Sequence, residues 1–418
     1  MNRLGALARL ALATLLVGVA AGLAGALLLA ILYGIQGAVW GDARAPYQGA
    51  ATPAPAWLPV VTVTAAGLLG AGSWYALRRW APPVASIEQG VAGARMPVWS
   101  TLADTVTQVS AVALGSSVGK EVAPRELSAM AASVIARWFR LEPRWGAILV
   151  ASAAGAGLAA VYNVPLGGAV FALEILLVRF GPAAAVPAFG ASAIATAVAR
   201  PLAGDGTLYS LPPVHAEPSL LAACLLLGPL MGLGGSGFAR VTEWLSRRRP
   251  AGWRILVALP VVGALVGVTG MFLPLVLGNG EALAQTGFDG SLPALMLLAY
   301  ALAKAAATAA TLGAGGVGGI LQPSVAIGVA LGAATAAPWS WLVPGTDAAA
   351  LAVVCGAAFL AASMRAPVTA TLLMIEFTGT GTELALPIVL AVAGAMATAA
   401  GLQRVRGRRV RPLDPGRE

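Results

Sequence analysis

Long apolar runs alternate along this chain with short polar, glycine-rich or proline-rich breaks. The runs Arg9 to Ile35, Ala56 to Leu77, Leu220 to Phe238, Ile255 to Leu273, Leu292 to Leu312 and Leu384 to Leu402 each reach the roughly 17 residues that a helix needs to cross a bilayer. Trp145 to Val161, Val164 to Phe180, Ala183 to Val198, Ala348 to Ala362 and Ala366 to Phe377 predict further helices, several too short to cross upright. The first of these is dense in alanine, glycine and serine, which predicts close helix contact in lipid. Two segments, Trp80 to Gly90 and Gly278 to Ala284, are too short and polar to span, and read as partial or re-entrant pieces. Trp40 to Pro55 and Asp205 to Glu217 read as polar loops, the latter on the non-cytoplasmic side.

One break organises the rest. Gly115-Ser-Ser-Val-Gly-Lys-Glu-Val-Ala-Pro-Arg-Glu126 lies between two mostly apolar segments, Val98 to Leu114 and Leu127 to Phe139. Irregular backbone at membrane depth is tolerated only where it lines a cavity or is buried in protein. Ionisable residues there are functional candidates by default. The pattern therefore predicts that Glu121 stands at the start of a broken helix, in the path of an ion.

Composition narrows the class. The 418 residues are 58% hydrophobic and only 10% charged, against about 25% charged in a soluble domain. The chain reads as an all-α polytopic membrane protein. The net charge of +9 is no nucleic-acid signal, because the basic residues gather at span ends: Arg78 and Arg79, Arg247 to Arg249, and Arg404 to Arg411. That is the distribution of cytoplasmic loop ends. The two cysteines, Cys224 and Cys355, lie in apolar runs and imply neither a disulfide framework nor a metal site. One loop histidine, His215, rules out a multi-histidine metal site and leaves Ser116 or Ser117 without a catalytic partner. No cofactor is expected. The opening run exceeds the 7–15 residues of a signal core and reads as a spanning helix.

An internal repeat adds the architecture. Tyr162-Asn-Val-Pro-Leu-Gly-Gly-Ala-Val-Phe-Ala-Leu-Glu174 resembles Met364-Arg-Ala-Pro-Val-Thr-Ala-Thr-Leu-Leu-Met-Ile-Glu376, each with its proline nine residues before its glutamate. Ser117 to Pro124 likewise lies against Gly316 to Pro323. Interrupted segments at matching places in two halves point to a transporter whose site lies at their interface. A helix start leaves its first four amides without intrahelical partners and carries about half a positive charge, so it binds an anion through backbone N–H groups. Both clusters have this make-up. Glu121 would set its carboxylate there and be displaced by protonation or by a competing anion.

These residues resemble the CLC family of chloride channels and proton/chloride antiporters. The family's Gly-Arg/Lys-Glu-Gly-Pro motif is similar to Gly119-Lys120-Glu121-Val122-Ala123-Pro124, with the proline displaced. Its Gly-Gly-Ile-Phe-x-Pro motif is similar to Gly318-Gly319-Ile320-Leu321-Gln322-Pro323. Asn163 to Glu174 and Arg365 to Thr369 complete a set of four in order, within roughly residues 56 to 402. The resemblance implies an inverted repeat of tilted, partly non-spanning helices. It implies halves of about 56–200 and 220–402 within a transport domain of 1–402, and the basic, polar residues 403–418 read as a cytoplasmic tail. It implies a homodimer in the inner membrane and chloride or a similar anion as cargo. Glu121 would be the gate, and Gly119, Lys120, Glu121, Val122, Gly319, Ile320 and Leu321 the anion site. The family's Gly-Ser-Gly-Ile-Pro motif is absent, and Ser86 is the nearest hydroxyl to stand in for its serine. The terminal pore tyrosine has no counterpart. Glu174 is a candidate for a proton path, but Ile175 occupies the family's inner proton position.

The rival readings differ in kind. A passive channel, or a carrier of fluoride, nitrate or bicarbonate, fits the same residues. A magnesium-dependent ATPase does not, because Glu121 stands where a phosphate loop needs Ser or Thr. An intramembrane hydrolase lacks a base beside its serine, so the chain reads as no enzyme, and a scaffold would give no anion flux. Lys304, inside a span, is expected to pair with backbone carbonyls or a carboxylate rather than to hold the ion.

Overall fold

The structure, a computed structural model, describes residues 3–44, 47 and 55–409. Most of the expected loop from Trp40 to Pro55, and the tail beyond Arg409, lie outside these residues. Sixteen α-helices follow one another in two sets of eight. The first set is α1 (Arg3–Trp40), α2 (Leu58–Trp80), α3 (Ile87–Val91), α4 (Val98–Ala113), α5 (Val122–Trp138), α6 (Pro143–Tyr162), α7 (Pro165–Phe171) and α8 (Pro182–Ala203). The second is α9 (Pro218–Ser246), α10 (Ile255–Phe272), α11 (Glu281–Asp289), α12 (Ala294–Gly313), α13 (Leu321–Leu342), α14 (Ala348–Met364), α15 (Pro367–Thr378) and α16 (Ala385–Arg409). Nine helices among the described residues are long and apolar enough to cross a membrane.

The duplication is visible in the backbone. Both α4 and α12 end two residues before a glycine in the left-handed region, Gly115 at φ 106° and Gly315 at φ 101°, where a side chain would be strained. α6 and α14 end on left-handed Asn163 and Arg365, at φ 55° and 56°. Pro165 and Pro367 then open the next helices, a position where the missing N–H would be an orphan anyway. Packing repeats as well. α1 lies on α8 as α9 lies on α16, and α5 on α6 as α13 on α14, while α2 meets α10 and α7 meets α15 across the halves. Self-pairing of equivalent elements is the mark of a two-fold relation between the halves. An antiparallel bridge, Gly119 to Gly319, sits on it.

Several expected boundaries move. Val164 to Phe180 is not one helix: α7 stops at Phe171, and a π-helical turn, Ala172–Leu176, follows. The run to Leu402 continues as α16 through Arg409, so the first basic residues of the expected tail are helical. Residues 324–342, given no element from the sequence, form most of α13. Its alanines and glycines carry little helical periodicity, because the helix is buried on many sides along its first half. The short polar pieces are short helices, α3 and α11, as expected.

Candidate functional site

The site is built where α5 and α13 begin. Gly119 N–H donates to the Gly319 carbonyl at 2.8 Å, and Gly319 N–H returns the bond at 3.0 Å. This bridge brings the two helix starts together with no side chain between them. A Cβ built on either glycine would overlap the Glu121 carboxylate, so glycine is what permits the approach. Pro124 and Pro323 each occupy the third position of their helix, where no intrahelical donor is lost.

Glu121 precedes α5 by one residue and is fully buried. Its Oε1 accepts a hydrogen bond from the Leu321 amide at 2.8 Å, and the Gln322 amide also faces it. Tyr162 donates its hydroxyl to Oε2 at 3.4 Å. The carboxylate of the first half is therefore held by the helix start of the second, the electrostatic arrangement that favours a negative charge at those amides.

Two cavities reach this turn, one lined by Glu121 and the other by Lys120. The larger, about 470 Å³, is lined by Glu121, Gly319, Ile320 and Leu321 together with Arg125, Thr242 and Ser363. The smaller, about 150 Å³, is lined by Tyr33, Tyr209, Lys120, Asn279 and Glu281 among others. Lys120 thus points away from the Glu121 carboxylate. Its Nζ pairs with Glu281 Oε2 at 2.9 Å and lies 5.1 Å from the centroid of the Tyr162 ring. Asn279 also donates to Glu281 Oε2, at 2.9 Å.

Of the residues expected in the site, Gly119, Glu121, Gly319, Ile320 and Leu321 come together, and Val122 begins α5 beside them. Lys120 supplies its backbone to the same turn but sends its side chain to Glu281. Ser86 is not part of the cluster. It is exposed and caps α3: its hydroxyl accepts from Gln89 N–H at 3.2 Å, and its own N–H donates to the Gln89 side chain at 2.9 Å. The capping box fixes Ser86 at the start of α3, away from the cluster.

Glu174 is likewise committed. Its Oε1 accepts from Val368 N–H at 3.0 Å, and its Oε2 from Thr369 N–H at 2.7 Å and the Thr369 hydroxyl at 2.6 Å. Glu376 does the reciprocal thing, accepting from Leu166 N–H at 2.9 Å and Gly167 N–H at 2.6 Å. Each half caps the other half's proline-led helix. The π-helical turn at Ala172–Leu176 carries Glu174. Lys304, fully buried, donates to the carbonyls of Val276 and Gly278 at 2.9 and 2.6 Å and to the Ser117 hydroxyl at 3.0 Å. It ties the α4–α5 turn to the α10–α11 turn, as a lysine paired with carbonyls should.

Sequence reasoning missed four contributors. Tyr162 adjoins the Asn163 motif but carried no signal of its own. Glu281 lies in a polar piece noticed only for its length. Gln322, inside the second motif, has a fully buried side chain that donates to the buried Tyr209 hydroxyl. Tyr209 comes from the stretch read as a polar loop, and its N–H donates to Phe377 O at 2.9 Å.

The chain matches a family model described as voltage gated chloride channel over residues 69–400. It is similar to the voltage-gated ClC-type chloride channel ClcB of Salmonella typhi, 30% identical over 351 residues and 81% of each chain. It is also similar to a putative chloride channel protein ClcB-like of Ralstonia nicotianae, 31% identical over 361 residues and 81% of each. Among solved structures, a slow cyanobacterial Cl⁻/H⁺ antiporter superposes with TM-score 0.82 at 24% identity, over 96% of this chain and 99% of that one. A CLC-type fluoride/proton antiporter superposes with TM-score 0.77 at 20% identity, over 96% and 97%.

Proposed function

This chain belongs to the CLC family of voltage-gated chloride channels and antiporters, and we propose that it moves chloride or a similar small anion past Glu121, which gates the route. One observation carries the reading. The Glu121 carboxylate already rests on the Leu321 amide at 2.8 Å, so the amides of an opposed helix start hold a negative group on the wall of a cavity. A free anion can take the same seat when the carboxylate leaves it. Backbone donors supply the seat without a full positive charge, which lets the anion leave again.

Proton coupling is the finer question. In a coupled cycle, Glu121 carries a proton when it vacates the amides. The rival, an uncoupled path, is favoured by Ile175 at the position where the family's antiporters place an inner glutamate and by the three hydrogen bonds that hold Glu174 as a cap. Reconstituted liposomes decide between them. Anion efflux with chloride, fluoride, nitrate and bicarbonate, run with and without a proton gradient, gives flux with coupled proton movement for an antiporter and flux alone for a channel. No flux of any anion ends the transport reading.

The same proposal sets the chain in a bacterial inner membrane as a homodimer, with the basic residues at the C-terminal ends of α2, α9 and α16 facing the cytoplasm. The larger cavity, bounded by the last turns of α9 before Arg247 to Arg249, then opens inward by the positive-inside rule. Residues 1–402 act as one transport unit and 403–418 as its basic tail. Transport, not hydrolysis, is its activity.

A further inference from the structure

Arg125 lines the larger cavity one helical turn beyond Glu121, and no group of the gate hydrogen-bonds to it. Its guanidinium lies on the face of Phe171, with Cζ 4.3 Å from the ring centroid. Among the described residues it forms neither a salt bridge nor a hydrogen bond, and its Nε is buried without a partner. Glu121, Glu126 and Glu88 are near enough to act on it electrostatically, yet the first two have other partners. Glu121 accepts from Leu321 at 2.8 Å, and Glu126 accepts from Gln108 at 2.8 Å.

Three other polar side chains of the cavity are engaged. Thr242 donates to the carbonyls of Phe238 and Ala239, at 3.0 and 2.9 Å. Ser363 spends its proton on Ser324 or on the Leu360 carbonyl, each at 2.9 Å. Glu243 is held by Arg247 at 2.5 Å. A cation left in a partly desolvated wall without donors engaged is costly, and stacking on a phenyl face offsets only part of that cost. A ligand that supplies negative charge and acceptors removes the rest.

We infer that Arg125 is a side-chain anion site in this cavity, where a small inorganic anion docks before or after it occupies the amides that Glu121 holds. The inference rests on the transport reading and adds to it a full positive charge beside a seat built of backbone dipoles. A planar fork with five donors fits a planar oxyanion through two bonds at once. Nitrate should therefore bind here at least as tightly as chloride. Arg365, exposed in the same cavity, adds positive charge nearer to solvent.

The test uses the full chain in detergent, with chloride and nitrate as the probes. Calorimetric titration of Arg125→Gln should show affinity for both anions falling about tenfold, the effect of losing one charge-assisted pair. Arg125→Lys should recover chloride binding more than nitrate binding. Unchanged affinity in a normally eluting Arg125→Gln protein overturns the inference. Should that variant not fold, crystals of the unaltered protein soaked in bromide give the answer. Anomalous density within hydrogen-bond reach of the Arg125 guanidinium supports the site, and density only at the amides of residues 320–322 removes it. Neither result depends on Glu121 moving, so failure here leaves the gate standing, and a failed gate leaves this site standing.

Discussion

Gly119 and Gly319, one from each half of the chain, exchange hydrogen bonds through their backbones at 2.8 and 3.0 Å. The bridge fixes the distance between two helix starts and leaves the Glu121 carboxylate lying where either glycine's Cβ would be. Gly319→Ala should therefore crowd out carboxylate and anion alike. Overpacking of this kind costs about 1–3 kcal/mol, so chloride affinity measured by calorimetry should fall about tenfold or more, and efflux with it. Gly72→Ala meets nothing within 4 Å and serves as the unaffected control.

Glu121→Gln should keep anion flux and lose its pH dependence. In the unaltered protein the charged carboxylate is what the Leu321 amide holds, and protonation weakens that bond. Flux should rise as pH falls through the carboxyl's titration. Glutamine stays neutral at every pH, so its efflux curve is flat. A mutant without current and without bound anion would remove Glu121 from the gate.

Glu174 and Glu376 should behave as a matched structural pair. Each caps a helix start of the other half through two backbone amides. Replacing a helix cap costs about 0.5–2 kcal/mol, so Glu174→Ala and Glu376→Ala should lower the thermal midpoint by similar amounts. Glu174→Gln should leave the proton-to-anion ratio in liposomes as it was. A changed ratio would return Glu174 to the proton path.

Lys304→Met should destabilise the fold without altering anion preference. It removes a donor shared by two carbonyls and the Ser117 hydroxyl, and each buried group left unsatisfied costs about 1–3 kcal/mol. A lower thermal midpoint with an unchanged anion selectivity order is expected. A reordered anion series would instead place Lys304 on the ion's route.

The sequence disclosed what depends on chain-local signals. Glycine and proline marked both helix starts at 115–126 and 313–323, because backbone freedom at a close approach has few substitutes. The repeat disclosed that they belonged together. What stayed hidden was side-chain direction. Lys120 and Glu121 are neighbours, yet one turns to Glu281 and the other to Leu321, and no period in the chain encodes that. Ser86 drew notice for its hydroxyl, but Gln89 three residues on formed a capping box. That pairing was readable, since Ser-x-x-Gln is a helix-start signature. α13 went unseen because a helix buried on many sides shows no amphipathic stripe.

The exchange of caps between Glu174 and Glu376 also bears on biogenesis. A ribosome that has released only the first two hundred residues leaves the amides of Leu166 and Gly167 bare, since Glu376 has yet to be translated. Neither cap can form until the second half has been made.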